Sequence, residues 1–532
     1  MPLLHAPMLF LGIPDAAVAA VPVAAVICLM LVGRSAAQAG AIGLALAVLI
    51  AWTPLFGGTL AGDNGRANAT LAALLEAGFT ALTILWIVFA ALCVYQLQDL
   101  SGAIVTIRDR LASFSSDPRM IAILVAWFFA LFMEGAAGFG TPVALAAPLL
   151  VGLGFRPVEA VSIALLGHAI GVSFGAVGTP VIPQAAATDL TLVSIARATA
   201  ILHTLLGSFM VFVVVYLASR VATERGAANI WWWAALAAIA FIVPYWAIAW
   251  FVGPELPTLL GALIGGAMLI VVLSRSNARQ DIAKPPPQSA RAASQEPHLD
   301  GPSAPGMLRS ASPYLVLIVL VLFTRLVAPI EEASRAVALE WTIGERFGGQ
   351  FEPLYHPGTL LLLSFMVAGP LQRQPPRVFR QAVRTAALRL APVSIALFAT
   401  LGVARLMVHS GMIEELAIAA AANLGTMWPI AAPFVGILGT FATGSATSSN
   451  VLFTELQAST AIQLELPLDS MVGAQGFGAA TGNVIAPHNI VAGGATVGLK
   501  GQEGAVLRRT AIPCLVYGLM GGLLTFAITR WM

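Results

Sequence analysis

Charge is scarce in this chain. Of 532 residues only 10% are Asp, Glu, Lys or Arg, against 58% hydrophobic, a balance that excludes an ordinary soluble globular domain, where about a quarter are charged. The net charge of +2 is too small to argue for a nucleic-acid or acidic partner. Cysteine is rarer still: Cys28, Cys93 and Cys514 are odd in number and each lies in an apolar segment, which suggests neither a disulfide framework nor a thiolate metal site. No metal-binding H-E-x-x-H occurs, and neither a metal nor a cofactor is expected. Met1 to Gly33 carries no Lys or Arg ahead of its apolar run, so it reads as a retained helix rather than a cleaved signal peptide.

What is present is long apolar sequence. Runs able to cross roughly 30 Å of hydrocarbon lie near residues 8–33, 39–60, 71–97, 158–182, 195–219, 230–252, 256–273, 313–330, 356–371, 389–409, 468–495 and 510–531. The chain is expected to be an all-α, multi-pass membrane protein with about 12 spans in a lipid bilayer. Two further stretches, 120–154 and 427–465, are too long for one helix and contain breaks of small residues.

Basic residues orient the spans. Arg108, Arg110 and Arg119, the segment 274–312, the group Arg373, Arg377, Arg380 and Arg384, and Lys500, Arg508 and Arg509 are placed on the cytoplasmic side. The segment 331–355, with five Glu against two Arg, suits the outside, and it has room for a short surface helix. Both termini then come out external. Parity makes 120–154 a re-entrant hairpin from the cytoplasmic side and 427–465 one from the outer side.

Opposed hairpins are the mark of an inverted repeat. Each is followed by similar sequence: Pro157-Val158-Glu159 or Pro467-Leu468-Asp469, then Gly175-Ala176-Val177-Gly178-Thr179-Pro180 or Gly482-Asn483-Val484-Ile485-Ala486-Pro487. The expected organisation is an N-terminal half over 1–273, a flexible cytoplasmic linker over 274–312 containing Pro285-Pro286-Pro287, and a C-terminal half over 313–532.

The breaks themselves suggest a ligand. Bare backbone inside hydrocarbon is tolerated only where protein buries it or a water-filled cavity touches it, and a helix interrupted there presents unpaired N–H groups and partial positive charge to a small anion. In the first break Gly135, Ala136, Gly138, Gly140 and Thr141, and in the second Ser445, Thr447, Ser448, Ser449 and Asn450, supply close backbone approach, donors and acceptors. A compact carboxylate with a neighbouring hydroxyl matches them. The competing explanation is that small residues simply let helices pack closely in lipid.

Ionisable residues at depth are costly unless paired or functional. Glu134 directly precedes the Gly run and can carry a proton or pair at the membrane edge. His168 lies mid-span and His488 follows Pro487; each can titrate as a coupling proton site or sit as a neutral, hydrogen-bonded ring. Arg405, far along an outward helix, can bind a carboxylate in bidentate fashion or snorkel to the interface. His203, Arg325 and Glu76 receive no functional role.

At these residues the chain resembles the bacterial lactate permease family. Met133-Glu134-Gly135-Ala136-Ala137-Gly138-Phe139-Gly140-Thr141-Pro142-Val143-Ala144 matches that family's signature, continued by Leu149 to Phe155, Ser410-Gly411-Met412 and Thr443 to Asn450. The resemblance implies a proton-coupled secondary transporter in the bacterial cytoplasmic (inner) membrane that takes up L-lactate, with D-lactate and glycolate as related substrates. The alternative is a sodium-coupled carrier of another small organic anion. One departure stands out: the family pattern Gly-Ser-Asp-Thr-Ser-Ser-Asn has Ala446 here in place of Asp. His168 and His488 likewise stand where Asn- and Gln-like residues are expected.

The expected partners are therefore a small monocarboxylate, protons and lipid, with no nucleic acid; a homodimer is compatible with the sequence. An intramembrane hydrolase would need a nucleophile with a base in reach, for which Ser445, Ser448 and His488 are the candidates. A channel would conduct without saturation. The carrier is the leading expectation. In it the hairpins and adjoining helices form a moving unit against a scaffold of the remaining helices.

Overall fold

The computed structural model describes residues 9–10, 13–32, 34–61, 65–112, 114, 117–138, 140–220, 229–275, 306–344, 346–499 and 502–531. Most of the expected linker therefore falls outside the described residues, and its flanking helices end at Arg275 and begin at Met307. Among the described residues nine helices are long and apolar enough to cross a membrane.

The first half opens with α1 (Asp15–Leu31), α2 (Ala36–Ala51) and α3 (Arg66–Leu100). Ser35 starts α2 with a capping box, its hydroxyl accepting the Gln38 N–H while Gln38 reaches back to the Ser35 amide. Next come α4 (Pro118–Ala136), with a π-helical stretch over Ile123–Phe129, α5 (Thr141–Gly152) and α6 (Pro157–Gly167). Helices α7 (Leu192–Leu206) and α8 (Ser208–Ser219) form one apolar path bent by 43° around Gly207. The half ends with α9 (Ile230–Phe251) and α10 (Pro257–Arg275).

The second half contains α11 (Met307–Leu326), α12 (Pro357–Leu371), α13 (Pro376–His409), α14 (Met412–Leu424), α15 (Trp428–Thr443), α16 (Ala446–Gln463), α17 (Leu468–Gly482), α18 (Pro487–Thr496) and α19 (Glu503–Trp531). Three differences from the sequence reading have physical causes. Helix α13 begins at Pro376, so Arg377, Arg380 and Arg384 ride its first turns rather than a loop; arginine is a good helix former and proline suits a first turn. Helix α14 was not anticipated, since Glu414 and Glu415 interrupt its apolar run; both sit in its first turn, where acidic groups favour the helix dipole. The acidic segment over 331–355 and the residues just before it hold the expected short helix, Ala328–Arg335, but also an antiparallel pair of strands, Leu339–Ile343 with Phe347–Phe351.

The helices sort into two groups that each draw on both halves of the chain. A framework forms where α1 packs on α2, α2 on α13, α13 on α3, α3 on α12 and α12 on α11. The core comprises α4 to α10 and α15 to α19, with α15, α16 and α17 packed on one another and α17 on α7. Helix α14 lies between α1 and α16. Close backbone crossings explain much of the small-residue content of the core: a Cβ on Gly478 would fall 2.0 Å from the Pro433 carbonyl oxygen, and one on Gly436 2.6 Å from the Ala479 nitrogen. In lipid such contacts replace the hydrophobic drive that assembles soluble helices.

Candidate functional site

Two helical hairpins carry the breaks. In the second, α15 and α16 run back along each other: the Ser449 hydroxyl donates to the Gly436 carbonyl at 2.8 Å and the Gln457 amide to that of Ala432 at 3.0 Å. The turn needs only Gly444, at φ 74°, and Ser445, which caps α16 by accepting the Ser448 N–H. In the first hairpin α4 ends at Ala136 and α5 packs back on it. Gly138 and Gly140 take φ of 59° and 78°, values costly for other residues, and Pro142 sits where its missing N–H costs nothing. Phe139 lies outside the described residues.

Each hairpin is followed by an interrupted helix. After α6 the chain tightens into a 3-10 turn over Ala169–Phe174, then passes through Ala176, Val177 and Gly178, all with positive φ. A buried valine at φ 56° is strained backbone held by its surroundings. The carbonyls freed by the interruption find side-chain donors: Thr258 to Gly171 at 2.8 Å, Tyr245 to Ile170 at 3.3 Å, Thr179 to Ala176 at 2.5 Å and Asn450 to Pro180 at 2.8 Å. The second interruption is simpler, a 3-10 turn over Asn483–Ile485 with the Asn489 amide donating to the Asn483 carbonyl at 3.2 Å.

All four interruptions meet. A cavity of about 50 Å³ is bounded by Glu134, Gly138 and Gly140 of the first hairpin, Gly175, Ala176, Thr179 and Pro180 of the first interrupted helix, Gly444, Ser445 and Thr447 of the second hairpin, and Asn483 and Asn489 of the second interrupted helix. Gly444, Ser445, Thr447 and Asn489 also border an open vestibule of about 800 Å³, which reaches Arg34 and Ser35 between α1 and α2. Ser448 and His488 line that vestibule; among its lining residues Arg34 is a cation and none is Asp or Glu.

Glu134 and His168 are both buried and face each other, with Oε2 and Nε2 3.9 Å apart. His168 Nδ1 lies 2.7 Å from the Ala164 carbonyl, an acceptor, so Nδ1 carries the proton and in the neutral ring Nε2 is left as an acceptor toward Glu134. The space between them exceeds a direct hydrogen bond. Glu134 also fills the place of an absent side chain: a Cβ on Gly175 would fall 2.1 Å from its Oε1.

The remaining candidates sit elsewhere. Gly135 packs on backbone, where a Cβ would meet the Leu259 nitrogen at 2.5 Å, and Ala136 is buried beside it. The Thr141 hydroxyl donates to the Gly138 carbonyl at 2.8 Å, fixing the first tip. Ser449 and Asn450 spend their hydrogen bonds within the core, where Gln475 joins them at 3.3 Å each. Arg405 does not border the 50 Å³ cavity. It lies between Glu455, at 3.3 Å, and Glu76, at 3.5 Å, and donates to the Ala186 carbonyl at 2.6 Å.

Asn483, Asn489, Gly175 and Ala176 were not picked out from sequence as site residues, although the Gly-x-Val-x-x-Pro echo marked three of these places. Gly171-Val172-Ser173-Phe174-Gly175 also matches the G-x-S-x-G string of serine hydrolases, and His203 Nε2 lies 2.8 Å from the Ser173 hydroxyl. The surroundings do not make a nucleophile of it. Ser173 is buried in a 3-10 turn and donates to the Gly476 carbonyl, and the other ring nitrogen of His203 meets the Tyr517 hydroxyl rather than a carboxylate. The group is a polar strut joining the first interrupted helix to α7, α17 and α19.

The sequence model of the L-lactate permease family matches residues 15–532. The glycolate permease GlcA of Escherichia coli (strain K12) is 31% identical over 523 residues, covering 92% of this chain and 90% of that protein. The L-lactate permease of Bacillus subtilis (strain 168) is 30% identical, covering 87% and 88%. Among solved structures, the Alcanivorax borkumensis YdaH transporter shares the fold with a TM-score of 0.50 at 15% identity, covering 94% of this chain and 98% of that one.

Proposed function

Because this chain belongs to the L-lactate permease family, a multi-pass transporter of the bacterial inner membrane rather than an enzyme, we propose that it carries L-lactate, with glycolate as a second substrate, into the cell together with protons. The observation that carries the proposal is the meeting of both hairpin tips and both helix interruptions at one polar point beside a vestibule without carboxylates. The substrate carboxylate docks at the N-terminal end of α16, where the amides of Ala446 and Thr447 precede the first intrahelical bonds and the helix dipole favours negative charge. Ser448, His488 and Asn489 lie around it in the vestibule and supply partners for the 2-hydroxyl. Glycolate lacks only the methyl group, and a site built on backbone and hydroxyl groups discriminates weakly against its loss.

The proton is held between Glu134 and His168. A proton on Glu134 faces the lone pair of His168 Nε2 across 3.9 Å, so a small shift of either group, or one water, completes the transfer. Glu134 touches the first interrupted helix at Gly175; its charge state is thereby coupled to the backbone that borders the cavity. With Ala446 in the place of the family's acidic residue, this pair takes over the coupling role.

Uptake into proteoliposomes, measured against a competition panel of two- to four-carbon hydroxy acids at two pH values, tests the proposal. Lactate and glycolate should compete, and an inward proton gradient should drive accumulation that survives replacement of sodium by choline. Absence of uptake for every short monocarboxylate, with or without the gradient, would overturn it.

A further inference from the structure

The two faces of the framework–core boundary are built differently. On the face that carries the acidic outer segment, charged side chains tie the groups together. Arg405, on framework helix α13, reaches two core elements: the Glu455 carboxylate on α16 at 3.3 Å and the Ala186 carbonyl beyond the first interruption at 2.6 Å. Beneath it the space between framework and core narrows to a cavity of about 10 Å³, bordered by Thr80, Leu401 and Val451. On the opposite face the same boundary opens into the 800 Å³ vestibule.

We propose that Arg405 is the latch of the outer gate, and that the arrangement described above is the inward-facing state. The latch is built to release. Arg405 has a second carboxylate, Glu76 on framework helix α3, at 3.5 Å, and Glu76 is itself held by His409 Nε2 at 2.7 Å. When the core moves away, Glu76 stays with Arg405, so no cation is left without a partner at depth. Glu455 borders the 10 Å³ cavity with its side chain 18% exposed, and the outer vestibule, of about 520 Å³, already reaches Arg405 and Ala186 on the other side of the latch. A second tie on this face, Arg325 to Glu255 at 2.7 Å, is of another kind: both side chains are almost fully buried and the guanidinium also stacks on Tyr355 at 3.4 Å. The looser, partly solvated pair is the one that breaks in each cycle.

The latch rests on the carrier reading but on neither the substrate nor the coupling ion, and its test uses neither. In a background with Cys28, Cys93 and Cys514 replaced, Val451→Cys reports the space under the latch and Ala442→Cys the inner vestibule, each through its reaction rate with a membrane-impermeant thiol reagent. Right-side-out vesicles serve for the first and inside-out vesicles for the second. In the otherwise unchanged protein Ala442→Cys should react and Val451→Cys should not. Arg405→Gln should raise the Val451→Cys rate by about ten-fold or more, a shift of one decade in the gate equilibrium, and lower that of Ala442→Cys. Glu455→Gln should move both in the same directions and carries the test if Arg405→Gln does not fold. Unchanged rates in a folded variant, or a Val451→Cys that already reacts freely in the parent, would overturn the latch. Shifted rates without lactate uptake would leave the latch standing and remove only the substrate assignment.

Discussion

The side-chain amide of Asn450, on the second hairpin, donates to the Pro180 carbonyl of the first interrupted helix at 2.8 Å. With the Ser173 hydroxyl, which donates to the Gly476 carbonyl, this bond ties the first interruption to the later part of the chain, and the Gln475 amide donates to the Asn450 carbonyl oxygen at 3.3 Å to fix its orientation. Asn450→Ala takes this donor from the buried Pro180 carbonyl, at a cost of about 1–3 kcal/mol if the group stays unsatisfied, while the Gln475 amide keeps its bonds to Ser449. The expected result is a lower unfolding temperature in detergent together with reduced uptake. A variant as stable and active as the parent would show that the bond is dispensable.

Gly175 admits no side chain while Glu134 stays where it is, since a Cβ there would lie 2.1 Å from Oε1. Gly175→Ala therefore forces the carboxyl or the interrupted helix to move, at about 1–3 kcal/mol of overpacking, and should strongly impair transport while the protein still inserts. Gly504→Ala is the control, because nothing lies within 4 Å of a Cβ at that position. Equal transport by the two variants would remove Gly175 from the site.

Glu134→Gln keeps the shape of the side chain and removes its ability to carry a proton. Proton-driven accumulation should be lost, whereas exchange of labelled for unlabelled substrate across the membrane, which needs no net proton movement, should persist. Equal loss of both activities would assign Glu134 to folding or substrate binding.

Arg325 and Glu255 form an almost fully buried ion pair at 2.7 Å. Removing one partner of such a pair leaves an uncompensated charge and costs about 3–5 kcal/mol, whereas replacing both is far milder. Arg325→Met should be severely destabilised, and the double variant Arg325→Met with Glu255→Gln should recover much of the loss in a thermal unfolding assay. Additive losses would mean that the two residues act independently.

Much of the helical layout was legible in advance because lipid imposes a simple rule: a backbone crossing it must satisfy its own hydrogen bonds and show an apolar surface. The two breaks were legible for the same reason, since Gly138-Phe139-Gly140 and Gly444-Ser445 interrupt sequence that otherwise continues as helix. Helix α14 and the strand pair in the acidic segment 331–355 were not, because neither has the length or hydropathy that marks a span. The Arg325–Glu255 pair was missed because its members are 70 residues apart and each alone has the look of an interfacial charge.

Site chemistry divides in the same way. Glu134 and His168 were separately suspect as ionisable groups in apolar sequence, but their 3.9 Å approach follows from how α6 crosses the first hairpin. Arg405 drew notice as a cation at depth. Its setting between Glu76 and Glu455 depends on three helices distant in sequence.

Composition and the position of small and charged residues determined by themselves that this chain is a multi-pass helical membrane protein with two interrupted stretches, because those properties are local and set by the solvent the chain must dissolve in. Which interruptions face each other, which hydroxyls and amides are consumed by bonds within the core, and which charges span the framework–core boundary were decided only by tertiary packing. Close backbone crossings at glycines such as Gly436 and Gly478 set the helix positions to within an ångström, and hydrogen bonds and ion pairs depend on separations of that size.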